Sequence, residues 1–68
     1  MIINTEKIKK NSGRIIGMMR QMCRYSFEEL QHFTHLGSTE LCLALIFLVQ
    51  EGKIEQNRDE FGVYYALS

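Results

Sequence analysis

The sequence lacks a long hydrophobic run, which excludes the simplest kind of membrane protein. Its longest apolar run has nine residues, Leu41 to Val49, whereas a membrane-spanning helix needs about 20. The first ten residues, MIINTEKIKK, do not show the basic start and apolar stretch of a secretory signal. We therefore expect a cytoplasmic protein with no membrane partner.

Cysteine is scarce, and the C-x-x-C spacing of redox and zinc sites is absent. Cys23 and Cys42 are the only two cysteines. In a cytosolic chain we expect reduced thiols, with one or both buried as small hydrophobic side chains. A disulfide between the two is the alternative that the sequence leaves open.

The usual motifs of enzymes and metal sites are missing as well. There is no glycine-rich phosphate loop,. His32 and His35 are within reach of one metal ion, but no cysteine or carboxylate stands beside them at a recognised ligand spacing. Cys42 has no evident cationic neighbour to activate its thiol. We predict a non-enzymatic protein without catalytic residues, metal, cofactor or small-molecule ligand.

Neither sign of charge is in excess over the whole chain, but the two signs are separated. Residues 1–24 contain six Lys and Arg against one Glu, a formal charge of +5. Residues 25–68 contain two Lys and Arg against seven Asp and Glu, a formal charge of −5. Such a dipole can steer a charged partner toward the first helix. The alternative, which we favour, is a pair of solvated faces that attract each other between protomers or not at all.

The chain does have enough apolar residues for one small domain. Its 68 residues, 46% of them hydrophobic, predict a single globular domain, residues 1–68, near the lower size limit for independent folding. A core this small gives a net stability of roughly 3–5 kcal/mol. Self-association is therefore an accessible source of further burial.

The first helix is predicted over residues 5–23, with Asn4 or Thr5 as its N-cap. Its apolar residues recur with a spacing that gives one buried face. This face consists of Ile8, Ser12, Ile15, Met19 and Met22, widened by Ile16 and Cys23. Gly13 in the middle of the helix costs about 1 kcal/mol relative to Ala, and we expect its small size to let another element approach closely.

Two shorter helices follow. Ser26 and Glu29 form a capping-box pattern that opens a helix over residues 27–34. Gly37 suits either a tight turn or the N-cap of the next helix. A third helix is predicted from Ser38 to Glu51, and Gly52 ends it because glycine tolerates the left-handed conformation.

After Gly52 the period changes from that of a helix to that of a strand. The runs KIEQN and FGVYYALS, separated by RDE, indicate a β-hairpin. Tyr25 and its neighbours are candidates for a short strand before the second helix. The predicted fold class is therefore α+β, a winged helix-turn-helix with three helices followed by a C-terminal β-hairpin.

Three segments carry a family resemblance: KKNSGRIIGMM, YSFEELQHFTHL and STELCLALIFLVQEGKIE. They resemble the small stand-alone winged helix-turn-helix proteins of bacteria and archaea, to which no role is assigned. The matching positions are Gly13, Ser26, Phe27, Glu29, Leu30, Glu40, Leu41, Leu43, Ala44, Leu45, Lys53 and Ile54. The resemblance implies the fold, but it supplies no catalytic residue and no ligand. By analogy of fold alone it suggests transcription regulation.

The third helix is the one that reads bases in DNA-binding proteins of this architecture. A helical projection puts Leu41, Leu45 and Leu48 on the buried side. The opposite side contains Thr39, Cys42, Leu43, Ile46, Phe47 and Gln50, with Glu40 at its edge. A major-groove reader needs Arg, Lys, Asn or Gln on that side, and only Gln50 qualifies. DNA binding by the standard surface is therefore disfavoured.

Two functional hypotheses remain. The first is a protein-interaction module or homodimer that uses the apolar side of helix three. Its interface residues are predicted to be Leu43, Ile46, Phe47 and Tyr64. We also expect Leu43 or Phe47 to be partly covered within the chain, by the hairpin or by residues 1–3, and the remainder, including Ile46, to lie in the interface.

The second hypothesis is a DNA-binding transcription regulator that uses the basic first helix. Ser38 and Thr39 belong to a helix N-terminus, which is able to hold one phosphate. The candidate nucleic-acid contacts are Lys9, Lys10, Arg14, Arg20, Ser38, Thr39 and Gln50.

Overall fold

Three helices precede a two-stranded antiparallel hairpin in the computed structural model, which describes residues 5–68. The elements are α1 (Thr5–Met18), α2 (Phe27–Thr34), α3 (Ser38–Gln50), β1 (Ile54–Asp59) and β2 (Gly62–Leu67). The α+β class and the order of elements are as predicted, and they are compatible with a winged-helix layout. Two expectations, the cap at Asn4 and the cover by residues 1–3, lie outside the described residues.

Local sequence determines the ends of α2 and α3. The Glu29 backbone N–H donates to Ser26 Oγ at 3.1 Å, and the Ser26 N–H donates to Glu29 Oε1 at 2.9 Å. These two bonds are the predicted capping box. Gly37 is the N-cap of α3, and Gly52, with a φ of 71°, has the predicted left-handed backbone just beyond that helix.

The first helix is shorter than predicted, because it ends at Met18 rather than at residue 23. A turn follows, in which Met22 has a φ of 66° and a side chain that is 100% exposed. The Arg20 N–H donates to Tyr25 Oη at 3.0 Å. The turn thereby brings Tyr25 toward the hairpin, and the expected burial of Met22 and Cys23 is wrong.

The prediction of a buried cysteine is also wrong. Cys23 and Cys42 are both free and both exposed. Cys23 lies in the turn after α1, and Cys42 lies on the solvent side of α3. No disulfide joins them.

The close contact between α1 and α3 is made by Ser12 rather than by Gly13. Ser12 Oγ lies 2.7 Å from the Ile8 carbonyl oxygen and 3.5 Å from that of Ala44, across the helix pair. A Cβ built on Gly13 would meet no described atom within 4 Å. The expected close approach of an element at Gly13 is therefore wrong within residues 5–68.

Backbone hydrogen bonds tie the base of the hairpin to the segment before α2. Its strands pair in register from Ile54 opposite Leu67 to Asp59 opposite Gly62. Tyr25 and Tyr65 exchange two backbone hydrogen bonds of 2.9 and 2.7 Å. The expected short strand before α2 is therefore a single residue pair.

One side of α3 supplies the centre of the core. Leu41, Ala44, Leu45 and Leu48 are buried, as the helical projection predicts for that side. The remaining core side chains come from α1, α2, β1 and the segments that follow α1 and α2. They are Ile15, Met19, Leu30, Leu36 and Ile54. Strand β2 contributes Tyr65 and Leu67, which are partly buried against the core.

Replacing Leu45 with Asp should abolish cooperative thermal unfolding measured by circular dichroism. Leu45 is 2% exposed, so the substitution buries a carboxylate without a partner, and this costs several kcal/mol. A domain of this size has only about 3–5 kcal/mol to lose. Gln50→Asp, on the exposed side of the same helix, is the control. A Leu45→Asp variant that melts like the parent would contradict this packing of α3.

Replacing Gly13 with Ala should stabilise the monomer by about 0.5–1 kcal/mol, because the helix interior gains propensity and no described atom blocks the new methyl group. Urea denaturation at low protein concentration measures the change. Gly17→Ala is the matched control, since a Cβ at Gly17 also meets nothing within 4 Å. A loss of stability specific to Gly13→Ala would contradict an open space beside α1.

Candidate functional site

The apolar surface of α3 is exposed to different degrees along its width. Ile46 is 49% exposed, whereas Leu43 and Phe47 are half-buried. We call these three residues the α3 face. Thr39, Cys42, Val49 and Gln50 surround it and are exposed. No Lys or Arg occurs anywhere in α3, so this surface offers a partner hydrophobic contact and little positive charge.

Phe47 points to one edge of the α3 face, where it lines a groove between α1 and α3. The groove has a volume of about 350 Å³. Its apolar lining comes from Ile16, Phe47 and Leu48, and its polar lining from Lys9, Ser12 and Lys53, with Gly13 beside them. The sequence projection missed this groove, because it treated α3 without the helix beside it.

Tyr64, the fourth predicted interface residue, lies on the hairpin. Successive strand residues point to opposite faces, and its neighbour Tyr65 packs against the core. Tyr64 instead lies against Arg24, whose guanidinium carbon is 4.5 Å from the ring centroid. Arg24 also pairs with Asp59 at 3.3 Å. Tyr64 therefore belongs to a different surface from the α3 face.

Tyr65 lies on the side of the hairpin that packs against the core, near enough to Cys42 for the two groups to interact electrostatically. Burial raises the pKa of the Tyr65 hydroxyl above its ordinary value of 10.0, and the charge of the Cys42 thiolate raises it further. The phenol is therefore protonated at neutral pH and acts as a structural group, packed between strand and core.

The basic residues of α1 line two different hollows. Lys9 lines the groove, whereas Lys10 and Arg14 line a separate hollow with Glu6 and Glu40. Arg14 Nη2 donates to the Thr34 carbonyl oxygen at 2.8 Å. This bond occupies Arg14 at the C-terminal end of α2, where a cation stabilises the helix.

The N-terminus of α3 already has an anion beside it. Glu40 Oε1 lies 3.4 Å from where a Cβ on Gly37 would be, and Glu40 Oε2 lies 3.2 Å from Lys7 Nζ. Ser38 Oγ accepts a hydrogen bond from Gln31 Nε2 at 3.0 Å. These contacts compete with the phosphate that Ser38 and Thr39 were predicted to hold.

The two histidines stand near each other at the end of α2, with ring centroids 6.4 Å apart for His32 and His35. Among residues 5–68, no group of three or more His, Cys, Asp or Glu side chains is arranged to hold a metal ion. Within the same residues no single helix is long and apolar enough to cross a membrane. The pair of α2 and α3 meets the length and composition of a span only when taken together, with a bend of 111°.

Comparison with known proteins adds no relative. No protein-family model matches the chain, and no curated protein and no solved structure is significantly similar to it. The resemblance to small winged helix-turn-helix proteins therefore stays a prediction, and function has to be argued from the surfaces themselves.

Binding to random duplex DNA should be weaker than micromolar at roughly 0.15 M salt, because affinity depends on the number of phosphates that Lys and Arg neutralise. Fluorescence anisotropy with a pool of labelled random duplexes measures this. Submicromolar binding with a steep salt dependence would contradict it. Arg20→Gln then tests α1, because Arg20 is exposed, whereas loss of Arg14 would also remove its bond to α2.

Proposed function

We propose that this chain is a non-enzymatic winged helix-turn-helix module that acts through protein–protein interaction, most simply as a homodimer, and that the α3 face forms the interface. The observation that carries the proposal is Ile46, which is 49% exposed in the middle of a nine-residue apolar run. A helix that is apolar on all sides is normally buried on all sides. Half of α3 lacks that cover among residues 5–68.

A second copy is the simplest partner for such a surface. Twofold dimers are the commonest soluble oligomers, and each subunit presents the same patch to the other. A standard interface buries about 800 Å² per partner, and the whole chain exposes 5014 Å². The interface therefore has to extend beyond three residues, and the groove beside Phe47 is continuous with the α3 face.

DNA binding through α1 is the second candidate. It is favoured by the +5 charge of residues 1–24 and by the exposure of Lys9, Lys10 and Arg20. It is weakened by the engagement of Arg14 with Thr34 and by Glu40 at the start of α3. Phosphate contacts alone give binding that is strongly dependent on salt and indifferent to sequence.

Replacing Ile46 with Glu should abolish self-association while leaving helix content unchanged. Ile46 lies outside the buried side of α3, and two like charges facing each other across a dimer cost several kcal/mol. Analytical ultracentrifugation from about ten to several hundred micromolar measures the parent and the variant. His32→Glu, which adds the same charge on the exposed surface of α2, is the matched control.

Two results would count against this function. A parent that stays monomeric at every concentration would exclude the homodimer. An Ile46→Glu variant that also unfolds would mean that this surface belongs to the core of the monomer, with the cover supplied from within the chain.

A further inference from the structure

We infer that the groove between α1 and α3 receives the tip of the hairpin of a second copy, with Phe61 inserted between the two helices. The inference rests on the proposed self-association and deepens it, because it names what occupies the groove. The hairpin tip is defined here as Asp59, Glu60, Phe61 and Gly62, and the groove is the one lined by Phe47.

The groove is built to hold an apolar group with negative charge beside it. Ile16, Phe47 and Leu48 supply apolar lining, and Lys9 and Lys53 supply ammonium groups. Neither lysine has an ion-pair partner among residues 5–68. A volume of about 350 Å³ falls within the range of about 300–1,000 Å³ that is typical of pockets for organic groups. An aromatic side chain therefore fits.

Gly13 is the second observation that points to an occupant. Glycine destabilises the interior of a helix, and no described atom lies within 4 Å of the place where its Cβ would be. Packing within residues 5–68 therefore does not require a glycine here. Gly13 lines the groove, and any larger side chain would project into the space that a partner needs.

The hairpin tip is the complementary surface on the same chain. Phe61 is 90% exposed, although a large aromatic side chain usually finds cover. Its backbone N–H donates to Asp59 Oδ1 at 2.8 Å, which holds the turn in shape. Glu60 beside it is exposed, whereas Asp59 is already paired with Arg24. The tip therefore presents one aromatic ring next to the Glu60 carboxylate, which has no ion-pair partner among the described residues.

The charges of tip and groove match across two copies. Glu60 would face the ammonium groups of Lys9 and Lys53, and such pairing gives orientation to a hydrophobic contact. In a twofold dimer the contact occurs twice, because each tip enters the groove of the other subunit. A reciprocal arrangement closes on itself, so that the assembly stops at two copies. It also brings Phe47 of each α3 face into the interface.

The test uses two uncharged variants that break opposite sides of the contact. Phe61→Ser removes the ring at an exposed turn position. Gly13→Leu adds an apolar side chain to the groove at a position where its Cβ would meet no described atom within 4 Å. Gly17→Leu is the matched control, since Gly17 is equally open but lies outside the groove. Each variant is first shown by circular dichroism to fold like the parent.

Sedimentation equilibrium then measures each variant alone and the two mixed in equal amounts. We expect Phe61→Ser and Gly13→Leu each to dimerise at least about tenfold more weakly than the parent, because losing an aromatic anchor from an interface has an effect of this size. Gly17→Leu should dimerise like the parent. The mixture should associate more tightly than either variant alone. A mixed dimer retains one intact contact, because the unchanged hairpin tip of the Gly13→Leu subunit can enter the unchanged groove of the Phe61→Ser subunit.

Three outcomes would overturn the inference. If Ile46→Glu disrupts the dimer but Phe61→Ser does not, the proposed function stands and the tip is not the occupant. If Gly13→Leu and deletion of residues 2–4 weaken association while Phe61→Ser does not, the N-terminal segment is the occupant. If both variants weaken association but mixing restores nothing, tip and groove do not meet.

Discussion

The burial of one side of α3 is the constraint on which the other contacts depend. Leu41, Leu45 and Leu48 are covered from several directions, by residues of α1, α2 and β1. Ser12 allows α1 to come close to α3 at Ala44. Because so few elements surround α3, moving any one of them exposes leucine side chains to water.

The same arrangement explains why one apolar surface of α3 stays exposed among residues 5–68. Within residues 5–68 only two helices, α1 and α2, and one hairpin are available to cover α3, and they bury a single side of it. Leu43 and Phe47 on the other side are half-buried within the monomer, whereas Ile46 remains 49% exposed. Exposed apolar surface of this kind raises the risk of non-specific association, and burying it against a partner, as proposed above, would remove that risk.

Features that depend on neighbours a few residues away could be predicted from the sequence. The capping box of Ser26 and Glu29 and the glycines at both ends of α3 act locally, so the limits of α2 and α3 followed from them. The end of α1 could not be predicted, because the apolar spacing continues to Met22. The chain turns there to bring Tyr25 to Tyr65, a contact between residues far apart in the sequence.

The candidate site, like the fold, could be predicted only in part. A helical projection identifies the exposed side of α3, but it cannot tell which neighbour stands at each edge. Ile46 and Phe47 are adjacent in sequence and yet face different surroundings, one solvent and the other α1. Gly13 stands out in the sequence as a glycine in the middle of a helix, but its place beside the groove and the exposure of Phe61 at the hairpin tip are seen only in three dimensions.

The bond pair between Tyr25 and Tyr65 has a mechanical consequence for the hairpin. It anchors the hairpin near its base, where Ile54 and Leu67 also meet the core. Beyond Tyr65 the side chain of Arg24 contacts the hairpin again, at Tyr64 and at Asp59, but an exposed ion pair adds little stability, and a two-stranded ribbon has little stability of its own. The hairpin therefore has a firm backbone attachment at Tyr65 and a weaker side-chain attachment at Asp59, so that opening the Arg24 ion pair lets the tip bend without disturbing the helices.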